Sequence, residues 1–401
     1  MGVLKMDKTI MWKENTNLKN KKEIKNEDFY GIYIDDEAIN YHKSFAEYSE
    51  TKLHCLKNYS KKIGVKNVFV KDESSRFGLN AFKVLGASFA IGKYIAKSIN
   101  KDISEVTFDY LKSGEWKKIL GDITLVSTTD GNHGRGVAWT AKQLNVPCRI
   151  YMPKGSTLNR LKNITDLGAY GEITEFNYDE TVRLVNKMAK ENGWTIVQDT
   201  AWEGYEDIPT WIMKGYSTLA KEVIKQIGNN IPTHIFLQAG VGAFAGVMAS
   251  VFTETYLEKA PKIIVVEPKN AACFYESALN NKCTAVGGDL KTIMCGLACG
   301  EPNPLGYDIL SRYSDMFLSV SDEMTKRGMK ILNKPINDDV KIISGESGAV
   351  GMGVLDEIMT NPEYDDLKNN LQLNDDSNIL IISTEGNTDP DVYKSIIEEN
   401  K

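Results

Sequence analysis

The stretch His234-Ile235-Phe236-Leu237-Gln238-Ala239-Gly240-Val241-Gly242-Ala243-Phe244-Ala245-Gly246 passes from an apolar run through a glycine turn into a second apolar segment. A strand that is apolar at consecutive positions is buried on both faces, as in a parallel sheet covered by helices on each side. The same alternation recurs along the chain. Strands are predicted over 68–71, 124–127, 148–152, 172–176, 195–198, 234–238, 262–267 and 378–383. Amphipathic helices are predicted between them over 84–98, 134–144, 157–167, 178–192, 209–227 and 244–257. This order reads as an α/β chain of parallel βαβ units. The polar stretch 100–122 is longer than a simple connection needs.

The 401 residues are 42% hydrophobic and 25% charged, long enough for two or three domains with cores of their own. With 48 basic and 54 acidic residues the formal charge is −6, so no general positive field draws nucleic acid or an anionic membrane. A small molecule is the expected partner. No segment reaches the roughly 20 apolar residues of a membrane span, and the lysine-rich first 26 residues lack the apolar core of an export signal, so the expected location is cytoplasmic. Met6 stands where an N-terminal acylation motif wants Ser or Thr. Cys55, Cys148, Cys273, Cys283, Cys295 and Cys299 form no CxxC pair and no metal-ligand spacing. They read as reduced thiols with no bound metal; one disulfide within the 273–299 cluster is left open.

Ligands of open parallel sheets collect where strands end and helices begin, and four such loops carry unusual chemistry. In the first, 72–83, Lys83 opens an apolar helix beside Phe82, Val84 and Leu85. Burial and the positive helix end both favour a neutral amine there, one able to form a Schiff base. The second is the Gly240–Gly246 turn, whose backbone N–H groups and helix start suit a phosphate. Its GxGxxxG spacing is not the GxGxxG of dinucleotide sites, although Glu267 closes the next strand. The third, 127–136, gathers Ser127, Thr128, Thr129, Asn132 and backbone N–H groups into a receptor for a carboxylate. Asp130 within it is either a helix N-cap or a base whose pKa a bound anion raises. The fourth follows strand 378–383, where Ser383 and Thr384 cap the strand or hydrogen-bond a heterocycle nitrogen.

A lysine after Asn80-Ala81-Phe82, the Gly131-Asn132-His133-Gly134 loop, a glycine phosphate turn and a C-terminal strand ending in Ser383-Thr384 occur in one order. That order resembles the fold-type II pyridoxal-phosphate enzymes. Within them, residues 71–83, 129–139, 198–205 and 238–246 resemble the diaminopropionate ammonia-lyases, over a span from about Phe69 to the C-terminus. The Asp at 130 and the long 100–122 stretch separate this group from the serine and threonine dehydratases. The resemblance implies two open, twisted, mostly parallel sheets flanked by helices. A large domain would comprise 1–83 and 196–401, and a smaller inserted domain 84–195.

It further implies pyridoxal 5′-phosphate bound to Lys83 with Phe82 beside its ring, Asn132 at its phenolic oxygen, and Gly240, Val241, Gly242, Ala243, Phe244 and Ala245 around its phosphate. Ser383 or Thr384 would meet the pyridine nitrogen, and Glu346 would face the cofactor. Ser127, Thr128 and Thr129 would hold the substrate carboxylate, while Asp130 and Asp199 would serve as bases for opposite enantiomers. The implied activity is an amino-acid-degrading carbon–nitrogen lyase, a homodimer, that converts D- and L-2,3-diaminopropionate to pyruvate and two ammonia. A serine/threonine dehydratase-type enzyme is the alternative within the same chemistry. A nicotinamide-dependent amino-acid oxidoreductase using Gly240–Gly246 and Glu267 is the alternative outside it.

Overall fold

In the computed structural model, which describes residues 8–129 and 131–399, the strands assort into two separate sheets. They are β1 (Ile10–Glu14), β2 (Lys52–Cys55), β3 (Asn67–Asp72), β4 (Leu125–Thr128), β5 (Cys148–Met152), β6 (Tyr170–Ile173), β7 (Thr195–Ile196), β8 (His234–Gln238), β9 (Lys262–Pro268), β10 (Met316–Val320) and β11 (Asn378–Ser383). The larger sheet has the order β1-β10-β9-β8-β11-β3-β2 and the smaller β6-β5-β4-β7. All pairs in the smaller sheet are parallel. In the larger sheet only the two edge strands, β1 against β10 and β2 against β3, run antiparallel.

The consecutive apolar residues divide between two cores. Ile235 and Leu237 of β8 join Ile263, Val265, Leu380 and Ile382 on one face, under helices Val84–Ser98, Asp207–Ile227 and Ala243–Tyr256. Phe236, Ile264, Val266, Ile379 and Ile381 point the other way, onto helices Asp322–Asn333 and Glu346–Thr360. Strict alternation of side chains along a strand makes one apolar run serve both.

The smaller sheet lies within 125–196, so its last strand runs one residue past the expected insert 84–195. Helix Val84–Ser98, expected in that insert, packs against helix Asn132–Gln143 of the small-sheet region and against helix Asp207–Ile227 of the large one. The approaches are close. A Cβ on Gly136 would lie 2.9 Å from Val84 Cα, and one on Gly215 2.4 Å from the Leu85 carbonyl oxygen. The strand predicted at 172–176 falls instead at Tyr170–Ile173, because the turn at Gly168 ends the preceding helix earlier and lets the strand start at once. The polar 100–122 stretch contributes buried aromatics: Phe108 stacks on Phe45 at 3.7 Å, and Trp116 donates its indole N–H to the Leu111 carbonyl at 2.8 Å.

The turn leading to Lys83 is anchored by a buried ionic cluster. Lys71 Nζ lies 2.7 Å from Glu222, and Arg76 lies 2.7 Å from Glu222 and 2.8 Å from Glu73, with all four side chains at most 1% exposed. Two cations against two carboxylates leave the cluster neutral. Burial alone would raise the pKa of Glu222; the hydrogen bond and charge of Arg76, then Lys71, hold it below the ordinary value. Removing one partner strands a buried charge, and that costs about 3–5 kcal/mol. Glu222→Leu is therefore expected to lower the urea midpoint markedly, with an unchanged midpoint contradicting the anchoring role.

Candidate active site

Between the two sheets a cleft is lined by Phe82, Lys83, Thr128, Thr129, Asn132, Asp199, Gln238, the Gly240–Ala245 turn and Thr384, joined by His133, Tyr178, Ala239, Gly296, Leu297, Cys299, Ser347 and Glu385. The carboxyl ends of β4, β8 and β11 all open into it, as the topology of open parallel sheets requires.

Lys83 occupies the N-cap of helix Val84–Ser98, and its Nζ lies 2.6 Å from Asp199 Oδ2. Burial and the helix end favour a neutral amine at Lys83, and the Asp199 carboxylate works the other way, for the charged form. Asp199 is 3% exposed. Burial by itself would raise its pKa, but the Lys83 ammonium, His133 and hydrogen bonds from Lys83 and Tyr178 hold the carboxyl far below the usual range. Tyr178 donates to Asp199 Oδ1 at 3.1 Å and accepts from Gln198 Nε2 at 2.8 Å. Asp199 is thus fixed through one oxygen and paired through the other. His133 Nε2 lies 2.8 Å from the Val197 carbonyl, which places its proton there. Burial lowers its pKa, and Nδ1 is buried without a partner among the described residues.

The glycine turn has the form of an anion cradle. Gly242 has φ +91° and caps helix Ala243–Tyr256, and a Cβ there would sit 2.2 Å from Phe274 Cζ. Any L residue is both strained and blocked. Phe82 wedges between Phe244 and Tyr216, with ring centroids 4.7 and 4.8 Å away. Its N–H donates to the Thr384 carbonyl at 3.2 Å, tying the lysine turn to the end of β11. A pyridoxal phosphate fits this donor set: a phosphate cradle at a helix start, an aromatic floor, an amine, and the buried Thr128 Oγ1 with no partner among the described residues.

Adjacent hydroxyls of the expected site separate by strand alternation. Thr128 and Thr384 face the cleft, whereas Ser127 donates to the Val197 carbonyl at 2.7 Å and Ser383 to Ser344 Oγ at 2.8 Å. Thr129 Oγ1 accepts from the N–H groups of Gly131 and Gly134, both at 2.9 Å, and so shapes the helix start. Asn132 lines the cleft but donates to Glu385, whose other oxygen accepts from the Ser347 N–H at 2.8 Å. Glu346 is not among the residues that line the cleft: it pairs with Arg160 at 3.6 Å, and burial and then Glu385 push its pKa up. Asp130 lies outside the described residues; the N-cap of the following helix is Gly131.

Glu267 corrects the nicotinamide alternative. It is fully buried, accepts from the N–H groups of Phe274 and Tyr275 at 2.9 and 2.7 Å, and is pushed up to about 8 by burial. A ribose-binding acid would have to face the glycine turn instead. Cys273 and Cys299 flank Gly240, and among the described residues no disulfide joins any two of Cys273, Cys283, Cys295 and Cys299.

Tyr178 stands at the start of the predicted helix 178–192, after the strand predicted at 172–176, but carries no motif that marks it as a site residue. The Gly296–Cys299 segment, which spans the end of the short 3-10 turn Cys295–Leu297 and the two residues after it, follows no predicted strand. Gln238 ends the quoted apolar run 234–237, and Glu385 follows Ser383 and Thr384 in the loop after strand 378–383; those positions were the available clue.

The family model of the pyridoxal-phosphate dependent enzymes matches residues 45–385, beginning well before Phe69. Diaminopropionate ammonia-lyase of Salmonella typhimurium is 48% identical over 370 residues, covering 91% of this chain and 92% of that protein. Crystal structures of Escherichia coli diaminopropionate ammonia lyase, one holo and one in complex with D-serine, each superpose with TM-score 0.90 at 43% identity, covering 98% of this chain and 97% of theirs. A catabolic L-threonine dehydratase of Staphylococcus aureus is more distant, 27% identical over 332 residues, with 83% of this chain and 82% of that protein covered.

Two outcomes follow from the geometry. Lys83→Ala should abolish turnover while the protein still retains pyridoxal phosphate noncovalently through the glycine cradle; after borohydride reduction of the unaltered protein, mass spectrometry should find the cofactor on Lys83, and a label on another lysine would contradict the site. Gly242→Val should lose cofactor on dialysis with the Lys83 amine intact, whereas unchanged occupancy would place the phosphate elsewhere.

Proposed function

The chain belongs to the pyridoxal-phosphate dependent enzymes and, among them, to the diaminopropionate ammonia-lyases, and we propose that it converts D- and L-2,3-diaminopropionate to pyruvate and two ammonia. The observation that carries this reading is the buried carboxylate of Asp199 held 2.6 Å from the cofactor-binding amine of Lys83. An acid in that position meets both needs of this reaction, a base at Cα and a negative wall for the β-ammonium.

Bound in the cleft, pyridoxal phosphate supplies an electron sink for the pair left at Cα. The rest falls to the protein. The Gly240–Ala245 turn and the start of helix Ala243–Tyr256 hold the phosphate. Thr128 Oγ1, Thr129 and the start of helix Asn132–Gln143 receive the substrate carboxylate, which fixes the Cα–H bond relative to the ring. Once the substrate amine has displaced Lys83 as a neutral amine, Asp199 Oδ2 no longer faces an ammonium and would be the base on its side of the ring, with Oδ1 kept in place by Tyr178. By the family resemblance Asp130 would serve the opposite enantiomer. The β-amino group stays protonated between these carboxylates until the carbon–nitrogen bond breaks, because an amine leaves far better as ammonium. A hydroxyl leaving group gains nothing from two acids, which favours the lyase over a dehydratase.

No helix among the described residues is long and apolar enough to cross a membrane. Cytoplasmic location and a homodimeric assembly complete the proposal, supported by the scattered free thiols and by the family resemblance respectively; light scattering that returned the mass of a single chain would overturn the dimer.

Enantiomers held by the same carboxylate and amine present their α-protons on opposite faces of the ring, so two bases are needed. Asp130→Asn should mainly harm the D isomer and Asp199→Asn the L isomer, each by a factor of about 10² or more in kcat/KM. Equal losses for both isomers in each variant would show that the aspartates bind the ammonium instead of dividing the proton abstraction.

A further inference from the structure

Gln238 closes β8 and Thr384 follows β11, its neighbour in the sheet, and both side chains line the cleft. Gln238 Nε2 donates to the Ile382 carbonyl at 2.9 Å and to Thr384 Oγ1 at 3.0 Å. The carbonyl fixes the orientation of the amide, since the reverse setting would bring two acceptor oxygens together. The amide nitrogen has only protons to give, so the Thr384 oxygen must be the acceptor. Its own proton is then free to point elsewhere, and among the described residues no acceptor meets it. Gln238 and Thr384 are 3% and 5% exposed, so water does not freely take that role.

We infer that Gln238 is a positioning residue that sets the direction of the Thr384 hydroxyl, turning its proton toward the pyridine nitrogen of the cofactor and keeping that nitrogen unprotonated. An unprotonated ring withdraws less electron density than a pyridinium. The electron pair at Cα is then held less long and forms the Cα–Cβ double bond as the Cβ–N bonding pair departs with ammonia, which favours elimination over reprotonation at Cα. Gln238 thereby controls the reaction outcome through a side chain that touches neither the substrate nor the Schiff-base lysine. The inference rests on the reading above, in that it needs the pyridine nitrogen at Thr384.

The test is nitrogen NMR of holoenzyme loaded with pyridoxal phosphate labelled at the ring nitrogen. The unaltered enzyme should give the shift of an unprotonated, hydrogen-bonded pyridine across neutral pH; a pyridinium shift overturns the inference outright. Gln238→Glu offers Thr384 an acceptor, so the hydroxyl should reverse and the ring nitrogen should move toward the pyridinium, with the cofactor absorption band shifting in parallel. Gln238→Met frees the Ile382 carbonyl to take the threonine proton and should move the signal the same way by a smaller amount, which keeps the test alive if the glutamate variant folds poorly. A ring signal unchanged in both variants overturns the relay. The double variant Gln238→Glu with Thr384→Val separates relay from simple charge: its ring signal should match that of Thr384→Val alone, and a persisting shift contradicts the inference. Thr384→Val by itself must alter the ring signal; if it does not, the placement of the ring fails and the relay falls with it. Loss of the one oriented hydrogen bond should lower kcat by about tenfold in Gln238→Met.

Discussion

The contact between Lys83 and Asp199 is the point at which the two sheets meet chemically. Lys83 stands at the head of a helix that follows the large sheet's β3 turn, and Asp199 follows the last strand of the small sheet. A buried ion pair is often no more stabilising than apolar side chains of the same volume. Stability therefore gives no reason to keep one here. Its value lies in what happens when the substrate displaces the lysine as a neutral amine: an ionised carboxylate is left in the cleft, desolvated and held by Tyr178.

Holding one amine that accurately requires support well outside the cleft. The cluster of Lys71, Glu73, Arg76 and Glu222 fixes the turn ahead of Lys83 from below. From above, the Asn80 carbonyl accepts from the Gly386 N–H at 2.9 Å, and Ala81 bridges to Glu385, so the lysine turn and the loop after β11 form one unit. Glycines at 136 and 215 allow helix Val84–Ser98 to lie almost backbone to backbone with its neighbours. A small shift of that helix would carry Lys83 away from Asp199, and close packing resists such shifts.

Much of this was legible in the sequence because the central strands are buried on both faces and so read as unbroken apolar runs. β5, β8 and β11 have the predicted limits. β1 and β2 escaped notice for the opposite reason: as edge strands they carry Lys13, Glu14, Lys52 and His54, and a half-exposed strand of four or five residues has little periodicity to detect. β10 is fully buried, but at Met316–Val320 its five residues follow a helix without a glycine turn to mark the start. In the site, the loops after strands were found, yet neighbouring hydroxyls could not be told apart. Only the observed register shows that Thr128 and Thr384 face the cleft while Ser127 and Ser383 face inward. Gly296–Cys299 reaches the cleft by tertiary packing alone, and Tyr178 opens a helix that was predicted but bears no motif pointing to the cleft.

A cleft built around carboxylates serves a β-ammonium leaving group better than a β-hydroxyl. The direct measurement is kcat/KM of the same purified holoenzyme for D- and L-2,3-diaminopropionate, L-serine and L-threonine, following release of the 2-oxo acid. Both diaminopropionate isomers should exceed both hydroxy amino acids. Turnover of serine or threonine ahead of either isomer would contradict the claim and return the chain to the dehydratases.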